Sequence, residues 1–188
     1  MVKSRHGFPF FGSLAGHLVI LTALMMIEGC SSEPAQFDKS IKDPQLIVHP
    51  ESVSLGVAKL LKTQIIFKGI GFKPGEKFMI VLSGGEKTTI QVAVPLSFGK
   101  VGKDSAFVTE VEKKTKIFNL LRGDVHFGEK GAIVLITDSP VPAGRYIAKA
   151  TGYESDKTAQ CEITLKSPSL IDKIKDWLGG LLGKIEKE

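Results

Sequence analysis

The chain has 188 residues, with 25 Lys and Arg against 20 Asp and Glu and a formal net charge of +5 at pH 7. The small positive balance is spread out, without basic blocks interleaved with aromatics, which removes the electrostatic footprint of a nucleic-acid-binding protein. Two cysteines, Cys30 and Cys161, are too few for a disulfide-rich secreted scaffold.

The first predicted element is a leader. Lys3 and Arg5 precede residues 7–27, which lack Asp, Glu, Lys and Arg, and the segment closes on Ile27-Glu28-Gly29-Cys30. This charged, apolar, small-residue order is that of a secretory signal peptide. The densest apolar run, residues 18–27, is shorter than the roughly 20 residues a spanning helix needs, which favours cleavage over an uncleaved transmembrane anchor. The closing tetrapeptide resembles the lipobox of bacterial lipoproteins, in which cleavage occurs before a cysteine whose thiol carries diacylglycerol. Ile27 and Gly29 suit that pattern and Glu28 departs from it. The resemblance implies a signal peptide over residues 1–29, an acylated Cys30 bearing palmitate-type chains, and a lipid bilayer as first partner. It also implies residence in the cell envelope, at the outer membrane in a two-membrane host, because a serine follows the cysteine.

Residues 30–45 are polar and without periodicity and read as a tether. Residues 46–166 are long enough to bury one core and are written mainly in period two. Phe78, Ile80 and Leu82 alternate with Lys77, Met79 and Val81; Ile90, Val92 and Val94 alternate with Thr89, Gln91 and Ala93. The intervening Ser83-Gly84-Gly85-Glu86-Lys87 predicts a hairpin. Further strands are predicted over residues 64–67, 106–111, 132–136, 145–150 and 160–165. In the last pair Tyr146, Ala148 and Ala150 share a face, as do Cys161, Ile163 and Leu165, which makes Cys161 a small core residue. Many short strands without long intervening amphipathic helices predict an all-β, antiparallel sandwich.

Two phrases sharpen that expectation. Gly69-Ile70-Gly71-Phe72-Lys73-Pro74-Gly75-Glu76 joins two strands, and Pro140-Val141-Pro142-Ala143-Gly144-Arg145-Tyr146 leads into another. Both resemble junctions in immunoglobulin-like domains of bacterial and archaeal surface proteins. The resemblance implies a turn preset by Pro74 with Gly75 at positive φ, and a corner in which the Tyr146 hydroxyl returns to upstream backbone.

Residues with chemical signatures are sparse. Gly69-Ile70-Gly71 lacks the third glycine and following helix of a dinucleotide fingerprint. No G-x-S-x-G, H-E-x-x-H or C-x-x-C occurs, so no catalytic residue and no cofactor are assigned. His49 and His126 lack ligand spacing, and Asp104, Asp138 and Asp156 read as turn residues, so no metal ligand is assigned either. Residues 112–131 break the strand rhythm. A helical turn there would align Ile117, Leu120 and Leu121, either as a crossover that caps the core or as a candidate recognition loop presenting Phe118, Arg122 and Phe127.

The tail, residues 167–188, carries the sharpest surface signal. Ser169 with Asp172 predicts a helix cap. Leu170, Ile171, Ile174, Trp177, Leu178, Leu181, Leu182 and Ile185 fall within an arc of about 140° at about 100° per residue. Gly179, Gly180 and Gly183 lie on the opposite side, so the helix needs a surface to stabilise it. Three surfaces are open to this stripe: the sandwich itself, a second envelope protein, or the membrane. The functional expectation is a lipid-anchored envelope protein acting as a non-catalytic structural or binding module. The alternatives are an adhesion or assembly subunit that engages another envelope protein through this helix and, more remotely, a hydrolase with a loop-built site.

Overall fold

The computed structural model describes residues 35–84, 93–128 and 131–187. The expected leader, Cys30 and the start of the expected tether lie outside the described residues. So do residues 85–92, which hold most of the predicted hairpin turn together with Ile90 and Val92.

The described chain is mostly β, arranged as three sheets. The first holds β1 (Gln45–His49), β3 (Ile66–Ile70) and β6 (Ala106–Glu110) in the order β1-β3-β6. The second joins β2 (Ser52–Ser54), β10 (Thr158–Lys166), β9 (Gly144–Gly152), β4 (Lys77–Gly84) and β5 (Val94–Lys100) in the order β2-β10-β9-β4-β5. The third is β11 (Ile185–Lys187), β8 (Gly131–Ile136) and β7 (Gly123–Gly128) in the order β11-β8-β7. Helical segments are α1 (Val57–Lys62), α2 (Lys113–Thr115), which runs into a wider π turn over Lys116–Leu120, and α3 (Leu170–Leu181).

Alternation places the core. Tyr146, Ala148 and Ala150 on β9 are buried while Arg145 and Lys149 are exposed, and Ala159, Ile163 and Leu165 on β10 turn the same way, with Cys161 half-buried beside them. The Phe78 and Phe107 rings stack with centroids 3.8 Å apart, tying the first sheet to the second. Among the described residues the buried core runs from Leu46 to Leu165, with Leu61, Val125, Cys161 and Ile185 packed against it.

Several expectations shift. The strand after β4 is described over Val94–Lys100, further along the chain than the expected alternation, of which Ile90 and Val92 lie outside the described residues; it pairs with β4 across a register irregularity at Ile80/Val81. Pro95 and Gly99 hide it from a propensity reading. Pro95 is tolerated because β5 closes the edge of its sheet, where no partner strand needs its N–H. The strand expected at 64–67 is displaced to Ile66–Ile70. Strands β1, β2, β7 and β11 and helix α1 were not expected. Residues 112–122 follow the crossover alternative in part: Ile117, Leu120 and Leu121 are all buried in the core.

The two ends of the body are closed differently. At one end the motif Glu76 clasps the β9–β10 turn. Its carboxylate, 0% exposed, accepts from Lys73 N (2.7 Å), Glu154 N (3.1 Å) and Ser155 N (3.0 Å). The Ser155 hydroxyl sits 2.8 and 2.9 Å from its two oxygens, sharing its one hydrogen between them. A β-carbon on Gly152 would stand 2.5 Å from this carboxylate, so only glycine admits it. Burial pushes the Glu76 carboxyl up, but the bonds from Ser155 and from the N–H groups of Lys73, Ser155 and Glu154 outweigh it and hold the net value below the ordinary one. Gly75 has φ +80°, as the Pro74-Gly75 turn requires. At the other end the Tyr146 hydroxyl donates to Pro142 O at 2.6 Å, the upstream return implied by the sequence.

Candidate functional site

Helix α3 grows out of β10 at the end opposite Glu76. Ser169 forms a capping box with Asp172: its Oγ accepts from Asp172 N at 3.1 Å, and Asp172 Oδ2 accepts from Ser169 N at 3.1 Å. Asp172 Oδ2 also accepts from Ser54 Oγ on β2 at 2.8 Å. These bonds, from Ser54 first and then Ser169, hold the Asp172 carboxyl below its ordinary value. One turn later Asp176 reaches the N-terminus of α1, where Oδ2 accepts from Val57 N and Oδ1 from Ala58 N, both at 2.9 Å. Gly56, at the α1 cap position, supplies no side-chain bond there, so a carboxylate from a distant helix satisfies the free N–H groups.

Asp172 and Asp176 are thus the buried side chains of α3, at 8% and 9% exposure. Positions four apart share a helix face, and that face is the polar one. The apolar stripe points away from the body: Leu170 is 77% exposed, Trp177 66% and Leu181 72%, with Ile171, Ile174, Leu178 and Leu182 exposed as well. Intramolecular docking therefore occurs through the side of the helix opposite to the one the hydrophobic pattern suggests. The exposed Lys173 and Lys175 lie on the helix beside the stripe, and the exposed Lys184 follows in the turn into β11.

Ile185 leaves the stripe. The helix ends at Leu181, Gly183 takes φ +65°, and the chain reverses into β11, where Ile185 pairs with Val134 and is half-buried. A β-carbon at Gly179 would stand 2.6 Å from Ile185 Cδ1, so the Ile185 side chain packs directly over this glycine, which is costly to a free helix. An open cleft of about 710 Å³ runs along the helix flank, lined by Pro168, Lys173, Trp177, Leu181 and Ile185 among others.

The candidate recognition residues separate. Phe127 is 85% exposed near the tip of the β7–β8 hairpin. Phe118 is exposed on the π turn, and Arg122, at φ +52°, lies 3.4 Å from Asp138. Lys116 on the same turn is 1% exposed and donates to Thr63 O at 2.7 Å, securing the end of α1, with burial pulling its pKa down. Asp138 sits at the α3 end, whereas Asp104 and Asp156 follow β5 and β9 at the Glu76 end, so the three do not converge. His49 closes β1, and His126 lies 3.8 Å from Asp124 on β7. Burial foremost, then the charge of Glu51, pushes the Cys161 thiol up to about 12. Glu76 and Asp176 were missed as organising residues; the visible trace of Asp176 was its four-residue spacing from the capping Asp172.

No family model and no curated protein matches the chain. Solved structures that superpose on it include macromomycin, at a TM-score of 0.37 and 12% identity over 65% of this chain and 99% of that one. Another is the β-glucosidase from Listeria innocua in complex with glucose (TM-score 0.35, 11% identity, 65% of this chain and 16% of that one). A third is the Pseudomonas fluorescens alkylpurine DNA glycosylase AlkC bound to DNA containing an abasic site analogue (TM-score 0.32, 13% identity, 66% and 30%). Superpositions this loose assign neither fold family nor activity, and the two enzymes are matched over well under two thirds of their length.

Proposed function

We propose that this chain is a lipid-anchored cell-envelope protein in which one immunoglobulin-like β-sandwich presents a C-terminal contact helix, working as a non-catalytic structural or binding module. The β-rich layers, the Tyr146–Pro142 bond and the Pro74-Gly75 turn support the domain reading. The observation that carries the functional reading is the orientation of α3: two carboxylates fasten its polar side to the body and leave seven large apolar residues facing outward. An apolar surface held outward by dedicated polar bonds is what a contact module needs. The carboxylates of Glu76, Asp172 and Asp176 accept hydrogen bonds from the chain's own backbone or hydroxyl groups, which suits a structural role for them.

The anchor is tested by intact-mass measurement of protein extracted from the native membrane. The expected species begins at Cys30 and carries a diacylglyceryl-sized addition; a species beginning at Met1 with unmodified Cys30 overturns the anchored reading.

A further inference from the structure

The outward stripe of α3 is joined by a second exposed apolar feature at the same end of the small sheet. Strand β8 runs away from the tip of the β7–β8 hairpin, and β11 runs parallel to β8 with Ile185 opposite Val134. Val134 N donates to Lys184 O at 3.0 Å, so the turn that ends α3 leads into β11 beside the middle of β8. Phe127 pairs with Ala132 at the end of the sheet where β8 begins, and β11, parallel to β8, enters the sheet from that same end after Leu181 and Leu182.

The charges around this surface are sorted. Asp172 and Asp176 are turned inward and bonded, while Lys173, Lys175 and Lys184 remain exposed around it; the acids nearby are Glu186 on β11, Asp138, which lies 3.4 Å from Arg122, and Asp124, which lies 3.8 Å from His126. Lysine stems can lie along an apolar layer while their ammonium groups stay among anionic headgroups. Trp177, in the middle of the stripe, is a side chain that favours the boundary between acyl chains and water. Ala35 lines a cleft with Ile47, His49 and Lys68, at the strand that leads through Pro50 and Glu51 into β2, where Ser54 holds Asp172. Cys30 is five residues upstream of Ala35, about 18 Å of extended chain at most.

From this juxtaposition we infer that α3 and the Phe127 hairpin tip form one interfacial membrane-docking surface that lays the domain against an anionic bilayer. The inference rests on the anchored reading of Cys30: the diacylglyceryl group holds the chain at the bilayer, and this surface sets how the domain lies on it. Among the described residues no helix is long and apolar enough to cross a membrane, so this contact lies in the interface plane.

The test uses the unlipidated chain of residues 31–188, which retains the whole core, with vesicles of phosphatidylglycerol and phosphatidylcholine or of phosphatidylcholine alone. Trp177 is the chain's single tryptophan and reports directly. Expected are flotation with the anionic vesicles, weakened by salt, a blue-shifted Trp177 emission, and quenching by lipids brominated near the headgroup end of the acyl chain. Combined Ile174→Ser and Leu181→Ser should lower vesicle affinity at least about tenfold, and Phe127→Ser about threefold, with unchanged circular dichroism. Unshifted emission and no flotation on anionic vesicles overturn the inference. So does a vesicle-indifferent dimer, seen by sedimentation and abolished by the same substitutions, because the occupant is then a second copy. Acylation of Cys30 is read by mass on native protein, so anchor and docking surface can fail independently.

Discussion

Replacing Asp176 by Ala tests the physical basis of the outward helix. The substitution removes two hydrogen bonds of 2.9 Å from a carboxylate to the first N–H groups of α1, and it leaves Val57 N in a buried setting. Bonds to a charged acceptor contribute about 1.5–3 kcal/mol each, and cap removal from a helix up to about 2 kcal/mol. Water can replace the carboxylate at the more open Ala58 N, so the expected loss is about 2–3 kcal/mol. That corresponds to a fall in melting temperature of about 5–10 °C for a domain of this size. Asp176→Asn keeps one acceptor oxygen and should cost roughly half as much. Urea unfolding followed by far-ultraviolet circular dichroism measures the difference, and hydrogen exchange over residues 170–187 locates it, because α3 should lose protection before the sheets do. A change below about 0.5 kcal/mol with unaltered protection of α3 would refute the claim that this carboxylate fastens the helix.

Glu76→Gln should destabilise by about 2–4 kcal/mol, since an amide cannot serve the donors of Lys73, Glu154 and Ser155 with both oxygens. Because the native Glu76 carboxyl is held below its unfolded value of about 4.3, its contribution is complete above that pH and is lost as pH falls through the lower native value. Acid titration of stability should accordingly be flatter in the Gln variant between about pH 5 and 2. Gly152→Ala forces a methyl group to 2.5 Å from that carboxylate and should cost at least about 2 kcal/mol, read by the same urea midpoint. Tyr146→Phe removes the 2.6 Å bond to Pro142 O and should cost about 1 kcal/mol by thermal unfolding, with the fold retained. Cys161, its thiol pushed up to about 12, should react with iodoacetamide at pH 8 at least about 100-fold more slowly in the native protein than in urea.

Period-two alternation located β4, β9 and β10, in which buried residues alternate with more open ones, whereas β8 is legible from its short apolar run. The same logic failed at β5, where Pro95 and Gly99 interrupt the pattern, and at β2 and β11, which are three residues each and exist only by parallel pairing with β10 and β8. Such short strands carry no period of their own. The Ser169–Asp172 box was legible because both partners of a cap lie within one helical turn. The Glu76 clasp was not, because beyond the local Lys73 N its donors lie 78 and 79 positions away, on a turn that only pairing brings near.

The amino-acid order alone specified a capped, amphipathic C-terminal helix and its apolar stripe from Leu170 to Leu182, since both follow from side chains spaced along a single element, but not the departure of Ile185 into β11. Which side of that helix meets the body was decided by tertiary structure. The choice rests on Asp172 and Asp176 meeting Ser54 and the free N–H groups of α1, partners 118 and 119 positions away, and no local periodicity encodes a contact of that span.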